Sequence, residues 1–172
     1  TAATAGTVTT MSFTADMYRV DANGDTVSSG AGTYGVFDVY ASFNAGGLRV
    51  LNLMDLTISL STGDFIHNDA DGTGRWSAAY DTAGAGAIVG ADSFVTMGTA
   101  GTPNAAALDL NFADTGSSTD AGSISTDAGW YASDPTSGWG DVDVDNKAFL
   151  GRFALADGGS APGVDLPLGG DL

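Results

Sequence analysis

The stretch from Thr33 to Leu60, TYGVFDVYASFNAGGLRVLNLMDLTISL, constrains the fold more than any other part of the chain. Two apolar runs, Val36–Phe43 and Leu48–Leu60, flank Asn44-Ala45-Gly46-Gly47. In the first run Phe37, Val39, Ala41 and Phe43 share one parity, against Val36, Asp38, Tyr40 and Ser42. In the second, Leu48, Val50, Met54, Leu56, Ile58 and Leu60 stand against Arg49, Asp55, Thr57 and Ser59. Alternation with a period of two sends successive side chains to opposite faces of a strand. Around a Gly-rich break it predicts a β-hairpin with one buried face, placed at the centre of the core.

The polar residues point the same way. All 21 acidic residues are Asp; the chain has no Glu, no Gln, one Lys and four Arg. The straight-chain helix formers are thus nearly absent apart from Ala and Leu. Gly contributes 26 residues, and Thr, Ser, Asp and Asn fill most other polar positions, which favours turns, while Val, Thr, Phe, Tyr and Ile suit pleated strands. With 172 residues the chain has the size of one domain. The expected fold is all-β: a single β-sandwich or jelly-roll-like domain with long Gly/Asp/Ser-rich loops and extended termini.

Residues 1–10 are small and β-prone, an extended segment that is a candidate donated strand. The domain proper is expected over residues 11–156. Met11–Val20 and Thr26–Val27 flank Asp21-Ala22-Asn23-Gly24-Asp25, a hairpin signal because Asn and Gly both tolerate positive φ. Asp64–His67 reads as a short strand, Asn68–Gly74 as an Asp-rich turn, and Asp92–Gly98 and Ala148–Leu155 as further strands. Thr99–Thr126 is a long polar insertion, and residues 157–172 form a Gly- and Pro-rich tail.

A net charge of −16 argues against nucleic acid and anionic membranes, which need cations this surface lacks. No apolar run of about 18 residues or more offers a transmembrane segment. The start at Thr1 in a small-residue stretch resembles the region that follows a removed signal peptide, so the expected location is extracellular, on the cell surface. Five patches resemble exported bacterial surface proteins of the PEP-CTERM-sorted kind: VFDVYASF (Val36–Phe43) with RVLNL (Arg49–Leu53), FIHND (Phe65–Asp69) before Arg75-Trp76, DSFVTMG (Asp92–Gly98), GWYASDP (Gly129–Pro135) and Phe149–Leu155. The resemblance spans about two-thirds of the chain and implies export and a β-rich domain, with no catalytic residues assigned. The sorting signal itself is not found after Leu155.

Three Asp groups are candidate calcium ligands, because calcium takes about six to eight oxygen donors. Asp69, Asp71 and Thr73 alternate in a tight turn, as do Asp21, Asn23 and Asp25; the competing reading of both is a turn closed by Asx hydrogen bonds. Asp141, Asp143 and Asp145 are expected along one face of a strand, where the competing reading is a charged, solvated edge. His67 is the sole histidine, and without cysteine it builds no zinc site; no nucleophile-elbow motif accompanies it. Asp pairs able to serve a glycosidase arise by number alone among 21 Asp. Trp130, Tyr131 and Trp139 are candidate glycan or subunit contacts, against the reading that they are core. The sequence therefore points to a non-enzymatic exported subunit of a filament, tube, surface layer or matrix, joined by strand exchange and divalent cations, a homo-oligomer or polymer. The alternative is a carbohydrate-binding or adhesion module for a polysaccharide.

Overall fold

The computed structural model describes residues 10–21, 23, 25–28, 34–57, 65–66, 76, 91–99, 106–108, 128–134, 136–156 and 169–171. Among these residues the strands, in chain order, are β1 (Met11–Val20), β2 (Tyr34–Phe43), β3 (Asn52–Thr57), β4 (Phe94–Thr99), β5 (Ala107–Leu108), β6 (Ala128–Tyr131), β7 (Lys147–Ala156) and β8 (Gly169–Asp171). All their pairings are antiparallel, and they make two four-stranded sheets, β1-β2-β7-β4 and β5-β6-β3-β8. The chain is all-β, as its composition requires.

The expected central hairpin is not formed. β2 has β1 on one edge and β7 on the other, so no edge is left for the second apolar run, which pairs with β6 and β8 in the other sheet. Its single parity also breaks. Val50 is buried, Leu51 and Asn52 are both exposed, and Leu53 is fully buried while Met54 points out. Two consecutive outward residues flip the faces of everything that follows, which the alternation rule does not anticipate.

β2 is buried on both faces rather than one. Phe37, Val39 and Ala41 join the main core, while Val36, Asp38 and Tyr40 on the opposite face are equally inaccessible. Tyr40 packs there against Phe149, whose ring lies edge-on to Phe94 at 6.1 Å between centroids. A strand central in its sheet and covered on both sides cannot be recognised from one alternating row.

The main core draws on both sheets: Phe37 and Val39 of β2, Val95 and Met97 of β4, Leu150 and Phe153 of β7, with Leu53 of β3 and Trp130 of β6. Each such side chain contributes about 1.5–3 kcal/mol on burial. Trp130 also donates from Nε1 to the Thr96 carbonyl at 2.9 Å, a direct bond between the sheets. Phe65 sits between Trp76 and Phe153. Of the short strand expected at Asp64–His67, Phe65 bridges Leu155 and Ile66 N–H donates to the Ala154 carbonyl, while Asp64 and His67 lie outside the described residues.

A loop over residues 136–142 ties the sheets at one end. Gly140 donates to Met97 and accepts from Val50, and its φ of +79° with a would-be Cβ only 1.9 Å from the Val50 oxygen admits no side chain. The C-terminal residues expected as a tail contribute β8, where Asp171 lies opposite Met54 and Gly169 opposite Thr57.

Candidate functional site

The candidate carboxylates are placed in three ways. Asp69, Asp71 and Thr73, with His67, lie outside the described residues. Asp21 closes its own turn: Oδ1 accepts the Asn23 and Asp25 N–H groups at 2.8 and 3.1 Å, and the chain returns to pair Thr26 with Val20. Asn23 and Asp25 are exposed.

Asp141, Asp143 and Asp145 do not line a strand face. Asp141 forms a two-pronged pair with Arg49, through Nε and through Nη2 at 3.0 Å, and this hydrogen bond holds the guanidinium proton more tightly than usual. Asp143 begins a turn, accepting at Oδ1 from Asp145 and Lys147 N–H at 2.8 and 2.9 Å. Asn146 takes φ +60° to enter β7, a conformation Asn tolerates. The alternating Asp-Val sequence imitates a strand; the Asx hydrogen bonds win because they satisfy backbone donors locally. Among the described residues no three acidic or histidine side chains converge as a metal site would require.

The three aromatic candidates part company. Trp130 is a core residue, 1% exposed and held by Thr96, so it cannot stack on a sugar. Trp139 packs against the core from a half-buried position. Tyr131 is exposed, and with Leu51 and Met54, also exposed, it rims a groove of about 370 Å³ over the outer side of β3 and β6.

The most developed polar cluster lies on the second face of the first sheet. Asp38 accepts Arg152 Nε at 2.7 Å, Arg152 Nη2 at 3.0 Å and the Tyr18 hydroxyl at 2.9 Å. The guanidinium lies over the Tyr18 and Phe94 rings, 5.8 and 5.6 Å from their centres. Burial pushes the Tyr18 phenol well above its usual value; Arg152 opposes this and Asp38 reinforces it. Burial likewise raises Tyr40, to about 12, with Asp38 and Asp16 adding to it. Burial alone would weaken the Arg152 proton, but Asp38 outweighs it and the guanidinium is held more firmly charged. Both carboxylate oxygens of Asp38 are engaged by Arg152 or Tyr18, which makes the triad a structural clamp across β1, β2 and β7. Sequence reasoning missed it, although Asp38 stood out as the one charge inside the first apolar run.

It also missed the outer edge of β1. Ten consecutive β1 residues pair with β2 without a bulge. On the other side of β1, Arg19 and Asp21 meet the returning Val27 and Asp25, and Ser12, Ala15, Asp16 and Met17 are exposed, Met17 at 71%.

Compared with protein-family models, curated proteins and solved structures, the chain matches none. Among the described residues no helix is long and apolar enough to cross a membrane.

Proposed function

We propose that this protein is a non-enzymatic subunit of an extracellular assembly, built on a β-sandwich whose two sheets share the core around Trp130 and Phe153. The observation that carries the reading is the outer edge of β1, which no described residue pairs from Met11 to Met17: the strand is regular, Met17 is exposed, and no Pro, Gly, Lys or bulge interrupts it. The apolar rim of Leu51, Met54 and Tyr131 supplies a second, separate contact surface. Two different surfaces per subunit allow growth beyond a dimer. The resemblance of the strand patches to exported surface proteins supports the location on the cell surface.

The described acidic groups favour structural duty over catalysis, since Asp21, Asp38, Asp141 and Asp143 are all engaged by donors of the chain itself. Divalent cations, calcium among them, enter the proposal as counter-charges between copies carrying −16 each. For the carbohydrate-binding alternative, Tyr131 is the one exposed ring of the three aromatic candidates, Trp130 being core and Trp139 half-buried.

Electron microscopy and sedimentation of the purified chain, before and after EDTA, test the reading. Regular filaments, tubes or sheets are expected. Assemblies that ignore EDTA would remove the cation from the proposal, and a 17.1 kDa monomer throughout would refute it.

A further inference from the structure

We propose that the free edge of β1 pairs with the same edge of a second copy, antiparallel about a two-fold axis at Thr14, so that two four-stranded sheets become one continuous sheet. This rests on the assembly reading and specifies one of its contacts.

The backbone fixes which groups are on offer. Val27 N–H donates to the Arg19 carbonyl, and Asp21 N–H donates to Asp25, so the odd-numbered residues at this end of β1 turn their backbone groups away from β2. Alternation along a regular strand carries that orientation back through Met17, Ala15, Phe13 and Met11. From Arg19 onward the edge is occupied by the returning chain, so among the described residues the open length runs from Met11 to Met17, and its midpoint is Thr14.

A two-fold centred there opposes Met11 to the partner's Met17 and Phe13 to the partner's Ala15, each pair exchanging two backbone hydrogen bonds. These odd residues stand on the same sheet face as Phe37, Val39 and Ala41, their partners on β2, and Met11 and Phe13 already pack on the core. Met17, 71% exposed although Phe37 stands opposite it on β2, would gain a second apolar neighbour on that face. On the other face Thr14 meets the partner's Thr14, and Ser12 meets the partner's Asp16.

Charge selects this occupant. Asp16 is the only acidic residue of β1 and already leans on Lys147 at 3.9 Å. In this register the two Asp16 residues stand four positions apart, roughly 13 Å at about 3.3 Å per residue, beyond the screening length of about 8 Å at physiological ionic strength. For so acidic a chain, this strand is a nearly neutral, self-complementary strip. It also lacks Pro, Gly, Lys and bulges, the usual deterrents to edge pairing.

The chain contains no cysteine, so one introduced thiol can bridge only two copies. Thr14 falls at a non-hydrogen-bonded pair, where Cα atoms lie about 4.5 Å apart, within disulfide reach. Under mild oxidation Thr14→Cys should run as a covalent dimer of twice 17.1 kDa. Ser12→Cys alone should not cross-link, whereas Ser12→Cys mixed with Asp16→Cys should. Ala15→Pro removes an outward N–H that β2 does not use; it should keep the wild-type circular dichroism spectrum and lose at least ten-fold in self-association by sedimentation. If wild-type chains assemble while Thr14→Cys stays uncrosslinked and Ala15→Pro assembles normally, the β1 contact is wrong and the assembly reading survives. Thr14 cross-linking with discrete dimers and nothing larger would keep the β1 contact and remove the assembly reading. Cross-linking of β1 cysteines to cysteines placed in residues 1–10 instead would replace the two-fold with a donated strand and overturn the proposal.

Discussion

Asp38 carries three hydrogen bonds on a strand buried on both faces, and two of them come from Arg152, itself mostly out of contact with water. Asp38→Ala leaves that guanidinium without its partner, and the loss should reach about 3–5 kcal/mol by urea unfolding at neutral pH. The double change Asp38→Leu with Arg152→Met should restore most of it, because the desolvation cost of the second ion disappears as well. A single-variant loss below about 1 kcal/mol would mean that water takes the place of the carboxylate. The neighbouring phenols give a pH dependence of definite sign. Tyr18 and Tyr40 are both raised in the folded chain, Tyr40 to about 12, against an unfolded value near 10. The unfolded chain therefore releases these protons first. Stability should be intact below about pH 10 and should fall as the pH rises toward about 12. Tyr18→Phe should make that fall shallower, and urea melts alongside phenolate absorbance would register it; an unchanged slope would place the alkaline transition elsewhere. At this scale the sequence was legible where chemistry is local. The spacing of Asp21 to Asn23 announces an Asx turn, whereas the same spacing from Asp143 to Asp145, set among valines, reads as a strand and hides one. It was opaque where partners are 114 residues apart, as Asp38 and Arg152 are, and where an aromatic reads the same in core and contact, as Trp130 does.

Among the elements, the loop between β6 and β7 depends on a single residue. Gly140→Ala puts a methyl group into the Val50 carbonyl at a φ that L side chains resist, so it should cost on the order of 4 kcal/mol or more, detectable as a lowered Tm. Gly47→Ala, at φ +71° with open space around the added methyl, should cost only about 1–2 kcal/mol, and comparable losses at both sites would show that the loop gives way. Strand positions were largely legible: Met11–Val20 matches β1 in full, Val36–Phe43 lies within β2, and Ala148–Leu155 lies within β7. Alternation, β-branched residues and turn signals sit inside each strand, so local reading finds them. Pairing was not legible. Neighbouring runs in sequence look like a hairpin unless both edges of one are already taken, and β7, more than a hundred residues later, takes one edge of β2. β8 was hidden for another reason: Gly-Gly-Asp has no strand propensity, and it is the free edge of β3 that orders it.

For the whole molecule the dominant quantity is the charge of −16, which opposes any contact between copies. The contact surfaces themselves are poor in charge: β1 contributes Asp16 and Arg19, and the groove rim contributes none. The force between copies therefore divides into a long-range repulsion from the remaining acidic surface and a short-range attraction from backbone hydrogen bonds and apolar area. Salt acts on the first far more than on the second. The Debye length shrinks from about 30 Å at 0.01 M to about 3 Å at 1 M, so the repulsion fades while the hydrogen bonds are left alone. Assembly should accordingly strengthen as sodium chloride rises over that range, with light scattering and sedimentation as the readouts. Had the contacts been built from Arg–Asp pairs, the opposite slope would be expected, and dissolution in high salt would therefore overturn both the edge pairing and the apolar rim as the binding surfaces. Calcium separates screening from specific binding. At equal ionic strength, calcium chloride and sodium chloride should act alike if cations merely screen, whereas a calcium effect at millimolar levels, reversed by EDTA, would assign the ion a bound position between copies.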